Sequence, residues 1–146
     1  MSVSIIITED DEDDYQLMRC VLTHSRVGGN IHWAKDGEQL LDFLNRRGAW
    51  KDSDALPSPL LVLLDLNMPR MGGREALRAI RADPRFRRVP VIIVTTSALE
   101  EDVRDCYDLG ANSYIRKLGD LDKFAAGFAA FERYWLETVE LPDGRN

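Results

Sequence analysis

The chain has 146 residues, a length that fits one domain and leaves little room for a second. Its net charge of −6 argues against a nucleic-acid surface, because binding to phosphates needs clusters of lysine and arginine. The sequence contains no apolar run near the roughly 20 residues that span a bilayer and begins without the pattern of a signal peptide, so we expect a cytoplasmic protein that does not enter a membrane.

Short β-branched runs alternate with helical patterns along the whole chain. The apolar runs predict five strands, at residues 3–8, 31–34, 60–64, 91–94 and 113–116. Apolar residues at helical spacing predict five helices, at residues 13–23, 38–47, 73–82, 100–109 and from 121 to about 139. Strands that alternate with helices form parallel sheets covered by helices on both faces. The sequence therefore predicts a single α/β domain over residues 1–146, with an extended last helix.

Charged and polar side chains follow four of the five predicted strands. They are Glu9, Asp10 and Asp11 after the first strand, Asp65 after the third, Thr95 after the fourth and Lys117 after the fifth. Open α/β sheets bind their ligands beyond the carboxyl ends of the strands. We therefore expect the functional site at this edge of the sheet.

These residue types together favour phosphoryl chemistry on a metal ion. Carboxylates that lie close together repel one another unless a cation lies among them, and Mg²⁺ suits a few carboxylates and a backbone carbonyl. Beside such an ion, Asp65 can act as a nucleophile toward a phosphoryl donor. Lys117 would help to balance the charge on the phosphoryl oxygens, and the hydroxyl of Thr95 would bond to the transferred group.

The acidic run at residues 9–14 has two interpretations. A run of acids is typical of a solvated helix start, where the helix dipole favours negative charge. We assign Glu12, Asp13 and Asp14 to such a helix start. Glu9 and Asp10 directly follow an apolar strand, so we assign them to the site.

Four segments resemble a known family. Residues 61–73 read LVLLDLNMPRMGG, which closely resembles the phosphoacceptor motif of response-regulator receiver domains. Three other segments are similar to the metal-binding, switch-threonine and closing motifs of that family: IITEDD at 6–11, PVIIVT at 90–95 and GANSYIRK at 110–117. The resemblance covers roughly residues 3 to 130. It implies a flavodoxin-like, doubly wound sheet with the strand order 2-1-3-4-5.

The resemblance also implies roles for individual residues in a phosphoacceptor that is not an enzyme. Asp65 would receive the phosphoryl group from a histidine kinase. Asp10 would bind Mg²⁺ directly, Glu9 would reach it through water, and Asn67 would offer its backbone carbonyl.

The signalling residues follow from the same resemblance. Thr95 would be the hydroxyl switch, Lys117 the partner of the phosphoryl group, and Tyr114 the aromatic residue whose exposure changes on activation. A core aromatic with a hydrated hydroxyl is the alternative for Tyr114. The sequence departs from the family at Leu118, where proline is usual, and at Thr96, which is bulkier than the small residue commonly found there.

The C-terminal segment narrows the resemblance. Residues 131–142 read FERYWLETVELP and look like the stand-alone regulators that partner phytochrome-type histidine kinases. A helix that continues to about residue 139 would project beyond a small domain and expose Tyr134, Trp135 and Val139. We predict that these three residues form the interface of a symmetric homodimer.

Other functions remain open from the sequence. A small aspartyl-phosphate phosphatase of the haloacid-dehalogenase type shares this chemistry, but it usually has a second aspartate where this chain has Asn67. A flavin-binding module shares the fold class, but the acidic residues after the first strand would repel an anionic cofactor. A receiver that serves as a phosphate sink or as a binding adaptor is a third alternative.

Overall fold

The computed structural model describes residues 3–22 and 30–143, and a five-stranded parallel sheet lies at its centre. The strands are β1 (Ser4–Thr8), β2 (Ile31–Ala34), β3 (Leu60–Leu64), β4 (Val91–Thr95) and β5 (Ser113–Arg116). Their spatial order is β2-β1-β3-β4-β5, so the predicted fold class and strand order are confirmed. Each pair of neighbouring strands is parallel.

Five α-helices follow the strands. They are α1 (Glu12–Leu22), α2 (Gly37–Asn45), α3 (Gly73–Ala82), α4 (Glu100–Asp108) and α5 (Leu121–Glu132). A short 3-10 helix (Gly48–Trp50) follows α2, and a π-helix (Arg133–Thr138) follows α5. The predicted end of the first helix, residue 23, lies outside the described residues. Across the two described ranges, no helix is both long and apolar enough to cross a membrane.

The sheet separates two apolar cores. Alternate side chains of a strand point to opposite faces, and in β1 Ile6 joins one core while Ile5 and Ile7 join the other. The first core contains residues of α2, α3 and α4, and the second contains residues of α1 and α5. Burial on both faces explains why β1, β3 and β4 are buried along their whole length.

The last helix changes its winding at residue 133. The buried side chains of α5 are Phe124, Phe128 and Phe131, spaced by four and three residues as in an α-helix. The next buried side chain is Leu136, five residues after Phe131. A π-helix bonds residues five apart, and the Val139 amide accordingly donates to the carbonyl of Tyr134 at 3.0 Å.

This change of winding corrects the predicted exposed patch. Tyr134 is exposed, with 54% of its surface accessible, but Trp135 and Val139 are only half-exposed. Trp135 and Leu141 both pack against the core under α1 and α5, so this segment folds back on the domain. The predicted exposure of Tyr134 is confirmed, and that of Trp135 and Val139 was wrong, because the prediction continued the α-helical spacing into solvent.

We expect Leu136→Ala to lower the free energy of unfolding by about 2–4 kcal/mol, the usual cost of removing a buried leucine side chain. Leu136 is 7% exposed and belongs to the core under α1 and α5. Equilibrium unfolding in urea measures the change. Glu137→Ala, at the exposed next position, is the matched control and should stay within about 0.5 kcal/mol of the unaltered protein. Equal effects of the two substitutions would contradict the packing of the π-helix.

Candidate functional site

Three carboxylates meet at the carboxyl ends of β1 and β3. One oxygen from each of Glu9, Asp10 and Asp65 lies within 4.8 Å of the others. Glu9 and Asp65 are buried, whereas Asp10 is exposed. The Asp65 amide donates to the Thr8 carbonyl at 3.0 Å, which continues the β1–β3 pairing to the site. The sheet therefore brings together acids that are 55 residues apart in the chain.

Lys117 directly follows β5, and its side chain contacts two of these carboxylates. Its backbone amide donates to the Thr95 carbonyl at 2.6 Å, which holds it beside the end of β4. Its Nζ contacts Glu9 Oε1 and lies 3.5 Å from Asp65 Oδ2. The Lys117 side chain is only 8% exposed, so its contacts with the acids are largely shielded from water.

Asp14 is a member of this cluster that the sequence interpretation missed. Its Oδ2 lies 2.9 Å from Lys117 Nζ, whereas the sequence predicts that Asp14 belongs to a solvated helix start. The Asp14 amide also donates a hydrogen bond to Asp11 Oδ1 at 2.9 Å, at the start of α1. The sequence signal for Asp14 is its position in the first turn of α1, which begins three residues after Glu9.

Burial and charge shift the ionisation of the cluster. Burial raises the pKa of Glu9, and the nearby charge of Asp65 raises it further, while the hydrogen bond from Lys117 opposes this shift. Burial alone would lower the pKa of Lys117, but its hydrogen bonds to Glu9 and Asp14 and the charge of Asp65 outweigh burial and raise it. Lys117 is therefore a fixed positive charge among several acids, and an added cation would stabilise their ionised forms.

The donor atoms fit a hard divalent cation. The cluster offers carboxylate oxygens from Glu9, Asp10 and Asp65, and oxygen is the ligand that Mg²⁺ prefers in proteins. Asn67 lies two residues beyond Asp65, in the exposed part of the loop that joins β3 to α3. Since Asp10 is exposed, an ion at this site could keep some of its waters.

Thr95 and Tyr114 lie on the neighbouring strands β4 and β5. The Thr95 side chain is fully buried, and its Oγ1 has no hydrogen-bond partner among the residues that the structure describes. A buried hydroxyl without a partner is unfavourable. The half-buried Tyr114 donates its hydroxyl hydrogen bond to the Ser97 carbonyl at 2.9 Å, so it ties the loop after β4 to β5.

The two departures from the family pattern have different surroundings. Leu118 is half-buried and packs against the core under α1 and α5, and Lys117 still reaches the acids. Thr96 directly follows β4 and is exposed.

Comparisons with known proteins agree with this arrangement. Residues 5–128 match the response regulator receiver domain. The response regulator Rcp1 of Synechocystis sp. is 40% identical over 141 residues, which cover 94% of this chain and 92% of the relative. The probable methanogenesis regulatory protein FilR2 of Methanothrix harundinacea is 30% identical over 132 residues, 90% of this chain and 83% of the relative.

Solved structures give the same result. The phosphorylated cyanobacterial phytochrome response regulator RcpA superposes with a TM-score of 0.86 at 34% identity, covering 95% of this chain and 97% of RcpA. The Mn²⁺-bound form of Rcp1 superposes with a TM-score of 0.86 at 38% identity, covering 96% of this chain and 98% of Rcp1.

Proposed function

The chain belongs to the response regulator receiver family, and on that premise we propose that Asp65 accepts a phosphoryl group from a histidine kinase in a Mg²⁺-dependent reaction. The observation that carries this proposal is the meeting of the Glu9, Asp10 and Asp65 carboxylates with the Lys117 ammonium group in a largely buried cluster. The protein acts as a phosphoacceptor whose phosphorylated state signals to a partner.

Asp10 and Asp65 would bind the Mg²⁺ ion directly, Glu9 would reach it through water, and Asn67 would contribute its backbone carbonyl. The carboxylate cluster and the Mn²⁺-bound form of Rcp1 support a divalent ion here. When bound, the ion supplies positive charge next to the transferred phosphoryl oxygens. We propose Mg²⁺ as that ion because the donors are all oxygen.

The transfer itself uses residues of this chain. An Asp65 carboxylate oxygen forms a bond to phosphorus while the bond between phosphorus and the donor nitrogen breaks, and the electron pair of that bond stays with the histidine. Lys117, 3.5 Å from Asp65 Oδ2, balances charge that develops on the phosphoryl oxygens.

Thr95 converts phosphorylation into a change of shape. The phosphoryl group adds about −1.5 to −2 charges and three acceptor oxygens. The buried Thr95 hydroxyl, which lacks a partner among the described residues, gains one by donating to a phosphoryl oxygen. The loop after β4 moves with it, and because the Tyr114 hydroxyl is bonded to Ser97 in that loop, the environment of Tyr114 changes too.

The experiment that tests this function is the intact mass of the protein after incubation with acetyl phosphate and Mg²⁺. One added phosphoryl group is expected with Mg²⁺ and none with a chelator. Absence of the adduct after rapid quenching with several donors would contradict the phosphoacceptor function. Catalytic turnover of a generic phosphate ester would instead support the phosphatase alternative.

We expect Mg²⁺ to stabilise the protein against unfolding, by about 2.7 kcal/mol at a concentration one hundred times its dissociation constant. Asp10→Asn should lose most of this stabilisation, because it removes a charged ligand while the exposed position tolerates the amide. Thermal unfolding with and without Mg²⁺ measures the effect. Asp13→Asn, at another exposed acid of the same run, is the control that should respond to Mg²⁺ like the unaltered protein.

We further propose a phytochrome-type histidine kinase as the phosphoryl donor and a homodimer as the assembly. The structural similarity to RcpA supports a phytochrome-type kinase as the donor. We propose a cytoplasmic location for the protein. We expect faster phosphoryl transfer from a phytochrome-type kinase than from unrelated histidine kinases, and equal rates would contradict this proposal.

The proposed dimer interface consists of Tyr134, Trp135 and Val139, and exposed Tyr134 is the best of them to substitute. Light scattering should show a lower mass for Tyr134→Ala if this surface forms the dimer.

A further inference from the structure

The loop that joins β3 to α3 carries Asn67 and is closed at its base. Gly73, the first residue of α3, donates its amide to the Leu66 carbonyl at 3.0 Å. A Cβ atom at Gly73 would lie 2.2 Å from the Asp65 carbonyl oxygen, so only glycine permits this approach without a shift of the backbone. The two ends of the loop are therefore in direct contact, immediately behind the phosphoacceptor.

The later part of the same loop is held by the start of α2. The Gly37 amide donates to the Met71 carbonyl at 2.9 Å. A Cβ atom at Gly37 would lie 2.7 Å from that carbonyl oxygen, which shows how closely the two backbones approach. This contact comes from a part of the chain that supplies none of the proposed metal ligands.

A charged pair reinforces the contact. Asp36 is fully buried, and one of its carboxylate oxygens accepts the Gln39 amide at 2.8 Å at the start of α2. The other oxygen accepts the Arg70 Nε at 2.8 Å and also contacts Arg70 Nη2. Both oxygens of Asp36 are thus occupied, and the guanidinium group contacts one of them through two nitrogens.

Arg70 makes this pair from an unfavourable backbone conformation. Its φ is +62°, in the left-handed region that glycine adopts more readily. Glycine at this position would relieve the backbone but could not reach Asp36. The ion pair with a buried carboxylate offsets the strain, which indicates that the side chain of Arg70 has a role in holding the loop.

We propose that the Asp36–Arg70 pair, together with the Gly37–Met71 contact, positions the loop after β3 so that the Asn67 carbonyl is presented to the metal ion. The inference rests on the proposed function, because it assigns positioning residues to the same site. Asp36 and Arg70 do not contact the acids that bind the ion; they act through the backbone of residues 67–71. Partners of this kind commonly change metal affinity by about 10-fold or more.

The test compares Arg70→Gly with the unaltered protein. This variant removes the ion pair and also relieves the backbone, so loss of function cannot come from added strain. We expect Mg²⁺ to bind roughly 10-fold more weakly in calorimetric titration well below the unfolding temperature. We also expect faster hydrogen exchange of the backbone amides of Met68 and Met71 in the absence of metal.

Two further variants and a control complete the design. Asp36→Asn keeps an acceptor for the start of α2 and weakens the charged pair, so it should resemble Arg70→Gly, and combining the two should add little. Arg70→Lys should restore part of the affinity. Arg85→Ala breaks an exposed pair with Asp83 on another loop and should leave Mg²⁺ affinity unchanged.

The outcomes separate this inference from the proposed function. If the unaltered protein binds no Mg²⁺, the metal-dependent function fails and the inference fails with it. If the unaltered protein binds Mg²⁺ and Arg70→Gly binds it within 2-fold, with unchanged exchange of the Met68 and Met71 amides, the inference alone is overturned. Lower thermal stability without either change would assign the pair a purely structural role and would also overturn it.

Discussion

Asp65→Asn is expected to abolish the mass increase that acetyl phosphate and Mg²⁺ produce in the unaltered protein. The asparagine side chain has nearly the same shape, but its amide is a much poorer nucleophile toward phosphorus than a carboxylate is. Intact mass spectrometry after rapid quenching measures the result. Asp13→Asn carries the same change of charge at an exposed position and should be phosphorylated normally.

Loss of the native fold cannot account for this expected result. The charge of Asp65 raises the pKa of its neighbour Glu9, so the two carboxylates repel one another in the absence of metal. Removing one charge relieves that repulsion, and we expect Asp65→Asn to be at least as stable as the unaltered protein in metal-free buffer. A phosphoryl group on folded Asp65→Asn would place the phosphoacceptor at another residue, which peptide mapping would identify.

Lys117→Met is expected to lower the free energy of unfolding by about 3–5 kcal/mol in metal-free buffer, the usual cost of removing one partner of a buried ion pair. The substitution leaves Glu9 and Asp65, both buried, without the ammonium group that contacts them. Methionine preserves most of the volume, so a cavity contributes little. Urea unfolding measures the loss, and Lys123→Met, on the exposed face of α5, is the control that should change stability by less than about 0.5 kcal/mol.

Mg²⁺ should restore much of the stability that Lys117→Met loses. A divalent ion among the same carboxylates supplies the positive charge that the variant lacks. The stabilisation by Mg²⁺ should therefore be larger in Lys117→Met than in the unaltered protein. An equal gain in the two proteins would show that packing, and not charge, causes the loss.

The sequence by itself determined the strands and the parallel arrangement of the sheet, because both follow from local patterns of apolar residues. Apolar runs identified β3 exactly, and the alternation of strands and helices required a parallel sheet whose carboxyl ends meet at one edge. That rule predicts the meeting of Glu9, Asp65 and Lys117 that the structure shows. The strand order and the roles of the site residues were predicted from the sequence motifs, through their resemblance to receiver domains.

Only the tertiary structure decided contacts that depend on where distant segments approach. Asp14 reads as a helix-start acid, and its contact with Lys117 depends on how α1 lies against the end of β5. Leu136 is buried because a π-turn adds one residue to the spacing of a helix, which periodicity at 3.6 residues per turn cannot predict. The pairing of Asp36 with Arg70 joins two loops that are 34 residues apart, and neither loop has a periodic pattern that would reveal the other.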